Sequence, residues 1–295
     1  MKTIAVQTPG LLTTVQDLGR EGFGPMGVSP SGAADSIALR IGNWLVGNLK
    51  TAAALEMTLL GGTFLFPEGG VVALTGSQFD ASIPAWTSVE VKSGESIRVG
   101  PTRTGARCYL CIQGGILVKP FLGSASTHIL SGLGGFEGRA LKKGDVLKAG
   151  ETSRGFERRT MPAPVYRKSL RVTAGPQSNW FPESALYQGC YRVTEEANRM
   201  GLRLEGPPIP ASSSAKMTTE GVSLGAIQVP PGGQPIILFV EQQTTGGYPK
   251  IANVISADLP SVGQLRPRDE IQFELVGLET ARALFIEQEK MLALD

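Results

Sequence analysis

The chain has little of what most catalytic chemistry draws on. A single histidine, His128, stands among 295 residues. Neither a Ser-His-Asp order nor a metal cluster can be built on one histidine without strong partners. General-base work by His128 stays open, although a lone loop histidine is more often a bystander. Three cysteines are too few for a disulfide framework. The net charge of +2 gives no reason to expect a nucleic-acid or membrane partner. No stretch approaches the roughly 18 apolar residues that a membrane span needs. The opening Met1-Lys2-Thr3-Ile4-Ala5-Val6 is interrupted by Gln7 and Pro9 before a signal-peptide core could form. These absences predict a cytoplasmic chain.

What is present is glycine, 38 residues against a usual share of about 7%. With 20 prolines it predicts many turns and few long helices. Hydrophobic residues make up 41%, enough to exclude disorder, and the length allows about two domains.

Short apolar runs between turns recur along residues 55–150: Phe64-Leu65-Phe66, Val71 to Leu74, Ser88 to Val91, Ile97 to Val99 and Arg107 to Ile112. A tight turn with an acid directly before an apolar strand occurs three times, at Lys92 to Ile97, Lys142 to Leu147 and Arg266 to Ile271. Such spacing predicts a barrel or sandwich. One helix is clear, capped by Asp35, running to about Val46 and stopped by Gly47-Asn48. Its buried face is predicted as Ala34, Ile37, Ala38, Ile41, Trp44 and Leu45. A closing helix is predicted over Thr280 to Leu292, with Ala281, Leu284, Phe285 and Gln288 on one side. Residues 151–169 break the strand pattern with basic residues and prolines. They are taken as a linker between an N-terminal subdomain, 1–150, and a C-terminal one, 170–295. A basic nucleic-acid patch is the less favoured reading of that stretch.

Several motifs fail on inspection. Cys108 and Cys111 have the spacing of a redox or zinc pair, but in a strand they point to opposite faces. Gly132-Leu133-Gly134-Gly135-Phe136-Glu137-Gly138-Arg139 has neither dinucleotide nor P-loop spacing. Anion binding through its backbone and Arg139 remains the alternative to a structural loop. Ala215-Lys216-Met217 resembles a biotin attachment site, yet Ser214 and Ala215 replace the Ala-Met that should precede the lysine. No covalent biotin is expected on this chain.

Chemistry concentrates in Gln242-Gln243-Thr244-Thr245-Gly246-Gly247-Tyr248-Pro249-Lys250. Carboxamides, hydroxyls, a phenol and an ammonium sit between two apolar β-branched runs, Ile236 to Val240 and Ile251 to Ile255. The Gly246-Gly247 pair permits positive φ or the close approach of a ligand. A carboxamide matches the N–H/C=O edge of a lactam or urea. The alternative is a polar hairpin tip that satisfies only its own turn. Two further clusters are Gln16, Asp17 and Arg20 at a strand end, and Asn198 with Arg199 in the matching loop of the second half. Arginine there suits a carboxylate or phosphate, or simply pins a loop.

The residues also carry a family resemblance. Thr13-Thr14-Val15-Gln16-Asp17-Leu18-Gly19-Arg20, Leu39 to Asn43, Ala73 to Gly76 and Gly134 to Arg139 resemble the signatures of the C subunit of 5-oxoprolinase. So do Asn198 to Leu204, Gly225 to Pro230 and the 242–250 stretch. The family is also known as KipI antagonist, allophanate hydrolase subunit 2, or biotin-dependent carboxyltransferase. Glu241-Gln242 departs from a frequent Asp-Arg pair, and Arg268 replaces a turn glycine. His128 falls at a variable position, and alanine is commoner than Cys111.

The resemblance implies a mainly β chain of two tandem cyclophilin-like β-barrel subdomains with a few short helices. It implies two partners, the A and B subunits of 5-oxoprolinase (the latter KipI-like), and ATP-dependent opening of 5-oxoproline to glutamate. With no P-loop here, the ATP site is expected to be shared with a partner. On this reading Gln243, Thr244, Thr245 and Tyr248 orient the lactam, Lys250 and Arg199 stabilise developing negative charge, and Asp17 orients Arg20. The alternatives are a carboxyltransferase component acting on urea or an amide, and a non-catalytic regulator that binds a KipI-like partner.

Overall fold

The computed structural model describes residues 1–152, 155–211 and 217–293. The chain packs as two units, Met1–Arg20 with Ser31–Val165, and Glu21–Pro30 with the residues from Tyr166 onward. Ser214, Ala215 and Lys216, on which the biotin question turned, lie outside the described residues.

In the first unit the apolar runs become β1 (Lys2–Thr8), β2 (Leu12–Gln16), β3 (Ala54–Thr58), β4 (Thr63–Phe66), β5 (Gly70–Gly76) and β6 (Phe79–Ala81). They continue as β7 (Ser88–Val91), β8 (Glu95–Thr102), β9 (Arg107–Ile112), β10 (Ile116–Leu117) and β11 (Val146–Ala149). Two sheets result, ordered β10-β11-β1-β4-β8-β6 and β2-β3-β9-β5-β7, which make a half-barrel. Alternate residues such as Leu55 and Met57, Phe64 and Phe66, and Cys108 and Leu110 turn one face of each strand into a shared core.

The helix α1 (Ser36–Leu45) lies on β5 and β9. The Asp35 carboxylate accepts from the Ala38 N–H at 3.0 Å, a cap of the kind worth about 1 kcal/mol. Ala34, Ile37, Ala38, Ile41 and Leu45 are buried as expected. Trp44 is half-buried, beneath the Arg159 guanidinium 5.2 Å from its ring. Arg159 also donates to the Trp44 carbonyl at 3.0 Å. One of the basic residues of 151–169 is therefore docked on the first unit.

The two strand cysteines separate as the period-2 argument requires. Cys108 enters the core between the sheets. Cys111 faces α1, where its Sγ lies 3.8 Å from the Leu39 carbonyl. Burial pushes both thiols well up from their ordinary values. Beneath α1 the buried Tyr109 hydroxyl accepts from the Asp35 N–H at 2.8 Å and donates to Glu56 at 2.7 Å. Glu56 also accepts from the Ala34 N–H at 2.9 Å.

The three turn-and-acid repeats share one geometry. Glu95, Asp145 and Asp269 each accept from the backbone N–H three residues earlier, at 2.9, 2.7 and 3.0 Å. The residue before the acid is left-handed in each case: Gly94 at φ 76°, Gly144 at 91° and Arg268 at 73°. The arginine thus occupies a conformation that favours glycine.

The second unit holds β12 (Ser169–Ala174), β13 (Tyr191–Val193), β14 (Gly201–Glu205), β15 (Glu220–Gly221), β16 (Ala226–Gln228) and β17 (Ile236–Leu238). It continues with β18 (Thr245–Gly246), β19 (Lys250–Val254) and β20 (Glu270–Leu275). Seven of these close a barrel, β12-β19-β16-β17-β14-β13-β20, sealed by the parallel pair β12 and β20. Beside the barrel, the buried Asp258 accepts from Arg171 Nη2 at 2.5 Å and from its N–H at 2.8 Å. A short helix α2 (Leu259–Gln264) follows.

The closing helix is α3 (Leu278–Met291). On its predicted inner side Ala281, Leu284 and Gln288 are half-buried, and Gln288 Nε2 donates to the Ala257 carbonyl at 2.9 Å. Phe285 is exposed. The architecture is mainly β, as expected, with one closed barrel and one open. Among the described residues no helix is long and apolar enough to cross a membrane.

Candidate functional site

The 242–250 stretch is not a hairpin tip. Its flanks β17 and β19 do not pair with each other; both pair antiparallel with β16, which lies between them. The stretch therefore crosses β16. Gln243, in the crossing, donates to Gln228 Oε1 at 3.2 Å, and Gln228 is the last residue of β16.

Close approach, rather than positive φ, explains the first glycine. Neither Gly246 nor Gly247 is left-handed. A Cβ on Gly246 would stand 2.5 Å from Gln228 Nε2 and 2.7 Å from Gln243 Nε2. At Gly247 the nearest atom would be Thr219 Oγ1 at an ordinary 3.5 Å. Gln242 fixes the neighbouring wall. In the amide orientation that satisfies both ends, its nitrogen donates to the Ser223 carbonyl at 3.1 Å and its oxygen accepts from the Leu224 N–H at 3.0 Å.

Within the stretch, β18 pairs with β15 and sets Glu220 opposite Gly246 and Gly221 opposite Thr245. That pairing carries Glu220 to the Lys250 ammonium, with which it forms a salt bridge. Glu220 also accepts from Gln177 Nε2 at 2.9 Å, and Gln177 Oε1 accepts from the Lys250 N–H at 3.0 Å. The Lys250 hydrogen bond first, and the Gln177 bond second, hold the Glu220 carboxyl below its ordinary value.

A cavity of about 620 Å³ opens here, lined by Thr244, Thr245, Lys250 and Glu220, with Ser223 and Asn253 beside them. Pro176, and Gly24 with Pro25 from the segment that packs with this unit, lie on its wall. Its size suits a small ligand. Ser223 Oγ donates to Asn253 Oδ1 at 2.7 Å. Around one cavity, then, are an ammonium, a carboxylate, three hydroxyls and a carboxamide.

Of the residues singled out from sequence, Thr244, Thr245 and Lys250 line this cavity, and Gln243 and Gly246 support it through Gln228. Tyr248 is 44% exposed and does not line it. Arg199 is buried and paired with the buried Glu241, at the start of the crossing stretch. Asn198 is a turn residue whose Oδ1 accepts from the Met200 N–H at 2.8 Å. Glu220 and Gln177 were missed, because isolated polar residues in loops carry no periodic signal. Their partners become visible only once β15 meets β18.

The cluster in the first unit is a packed node. Asp17 accepts from Ser124 Oγ at 2.6 Å, Ser126 Oγ at 2.5 Å, the Ala125 N–H at 2.6 Å and the Gly19 N–H at 2.8 Å. Gln16 Nε2 donates to the Thr127 carbonyl at 3.1 Å. Arg20 reaches the Ser126 carbonyl and lies 5.4 Å over the Phe121 ring. The Gly132–Arg139 loop closes on the same node. A Cβ on Gly135 would lie 1.8 Å from Thr127 Oγ1, and Arg139 forks onto Asp145 at 2.7 and 3.0 Å and meets Glu137 at 2.6 Å. The inner side of this loop packs on the protein's own groups at Gly134, Gly135 and Gly138, and Arg139 is engaged by Asp145 and Glu137. His128 Nδ1 accepts from the Ser131 N–H at 3.2 Å and shapes the turn there. Among the described residues no group of three or more His, Cys, Asp or Glu could hold a metal ion.

The fold and this cavity define a tandem β-barrel protein whose closed barrel carries a small polar pocket on a crossover loop. The family described as carboxyltransferase domain, subdomain A and B, matches residues 26–275, and the chain belongs to it. It is similar to the C subunit of 5-oxoprolinase from Escherichia coli (strain K12), 39% identical over 92% of this chain and 91% of the relative. The corresponding C subunit from Haemophilus influenzae is 36% identical over 92% of this chain and 90% of the relative. Among solved structures, the urea amidolyase of K. lactis superposes with a TM-score of 0.93 at 34% identity, over 99% of this chain. The chain spans only about a fifth of that protein, 20% of its length.

Proposed function

We propose that this chain is the C subunit of an ATP-dependent 5-oxoprolinase and acts, with the A and B subunits, in opening 5-oxo-L-proline to L-glutamate. The observation that carries the proposal is the match to the 5-oxoprolinase C subunit over nine-tenths of both chains. 5-Oxoproline joins a lactam to a carboxylate on one small ring, and the cavity offers groups for both. Lys250 takes the ring carboxylate with one N–H and faces the lactam oxygen with another, and the Thr244 and Thr245 hydroxyls orient the lactam edge. Negative charge builds on the lactam oxygen as water adds to the ring carbonyl. It passes to the departing nitrogen, which takes a proton, as the C–N bond breaks. A nearby ammonium in a water-poor wall therefore favours the addition transition state. Gln243 and Gly246 hold the crossing stretch, and Arg199 anchors its start through Glu241. Tyr248, Gln16, Asp17, Arg20 and Asn198 do not line this cavity. ATP is bound with a partner subunit, and the location is cytoplasmic. ATP hydrolysis would supply the driving force for ring opening.

The test is reconstitution. The chain mixed with its A and B partners should release glutamate from 5-oxoproline with ATP. Equal release by a mixture lacking this chain would overturn the proposal. The superposition on urea amidolyase supports a second reading, carboxyl transfer to urea or an amide from a biotinylated carrier on another chain. Urea-dependent ATP turnover, together with a copurifying avidin-reactive partner, would favour that reading over the first.

A further inference from the structure

We infer that Glu220 is an internal stand-in for a ligand's carboxylate. It neutralises Lys250 in the ligand-free protein and yields that place to an anionic ligand. The inference concerns the cavity of the proposed function and depends on that reading only for which carboxylate enters.

The two members of the pair are unequal. The Lys250 side chain is 6% exposed, whereas that of Glu220 is 46% exposed. Removing an anion from a buried ammonium is strongly disfavoured unless another anion replaces it. Turning a half-exposed carboxylate outward costs little, because water solvates it. The backbone supports the exchange. Glu220 sits on the two-residue strand β15, which among the described residues pairs with β18 alone, outside the barrel's continuous hydrogen bonding. Lys250 opens β19 within the barrel, with its own N–H held by Gln177. The ammonium is fixed and its counter-ion is movable.

Glu220 is on this account a specificity-determining residue. A neutral amide or lactam carries no ground-state charge to replace Glu220 on Lys250 and leaves the internal pair closed. A ligand carrying a carboxylate exchanges with it. Gln177 Nε2, which donates to Glu220 at 2.9 Å, is placed to serve the incoming carboxylate as a second donor. The exchange makes or breaks no covalent bond, and the carboxylate that leaves is matched by the one that arrives.

The test uses acetate as the simplest carboxylate, titrated at pH 6.0 against the full chain. Backbone amide shifts of Gly221, Thr245 and Gly246 serve as the readout. Glu220→Gln removes the competitor, so the acetate Kd should fall at least threefold, and the gain should vanish in the E220Q/K250M double variant. The neutral lactam 2-pyrrolidinone should bind wild type and Glu220→Gln alike. Glu220→Ala repeats the comparison without a residual amide. An acetate Kd unchanged in both variants, or a gain that survives the loss of Lys250, overturns the inference. If acetate behaves as expected but 5-oxoproline binds no better than acetate, the stand-in role holds and the 5-oxoproline reading falls.

Discussion

Gly246 and Gly247 are neighbours with the same composition and different jobs. A methyl on Gly246 would stand 2.5 Å from Gln228 Nε2 and push the crossing stretch off β16. Gly246→Ala is expected to cost about 1–3 kcal/mol, the range for overpacking, and to impair ligand binding. Gly247→Ala should leave both within measurement error. Chemical denaturation of the two variants separates them. Arg268 offers the converse case, a left-handed arginine at φ 73° whose Nε meets the exposed Glu195 at 3.0 Å. Relief of left-handed strain, about 1–2 kcal/mol, is opposed by the greater unfolded freedom of glycine, about 0.4–1 kcal/mol. Arg268→Gly should therefore be neutral to stabilising by up to about 1.6 kcal/mol in the same assay. Asp145 sets a pH dependence. The forked bond from Arg139 comes first, and with the Lys142 N–H it holds the carboxyl below its ordinary value against the opposing effect of burial. Its stabilising contribution is full above the unfolded value, near pH 4, and is lost as pH falls through the lowered folded value. Asp145→Asn should lower the melting temperature at pH 7 and flatten its decline below about pH 4.

At the scale of elements, the helix α1 was legible because Asp35 caps it and its apolar residues keep a 3.6-residue period. The strands were legible from alternation, and the failure of the Cys108–Cys111 pair followed from the same period. What the residues did not disclose was pairing. The flanking runs left a hairpin between β17 and β19 open as an alternative, and both join β16 instead, because register is decided by contacts distant in sequence. Glu220 was invisible for the same reason. The candidate site was legible as a stretch, through Thr244, Thr245 and Lys250, but not as a constellation. The Tyr109 network shows how polar groups anchor such elements. Its hydroxyl accepts from the capping residue of α1 and donates to Glu56 on β3. Tyr109→Phe removes both bonds in a buried setting and should cost about 1–3 kcal/mol, read as an earlier denaturation midpoint with an unchanged slope.

At the scale of the molecule, the two β units use their strand-end loops differently. In the half-barrel, Gln16, Asp17 and Arg20 are spent on pinning the 124–127 segment and the Gly132–Arg139 loop. In the closed barrel the loop across β16 leaves an ammonium, a movable carboxylate and hydroxyls around a cavity. In the proposed function Lys250 faces both the substrate's carboxylate and its developing oxyanion. The most direct test of this placement is kcat/KM for 5-oxoproline in the proposed assembly with the A and B subunits, with wild-type chain and with Lys250→Ala. At unchanged subunit assembly, the account predicts a fall of about a hundredfold or more, in line with the loss of an oxyanion-stabilising group. A value within twofold of wild type would contradict it.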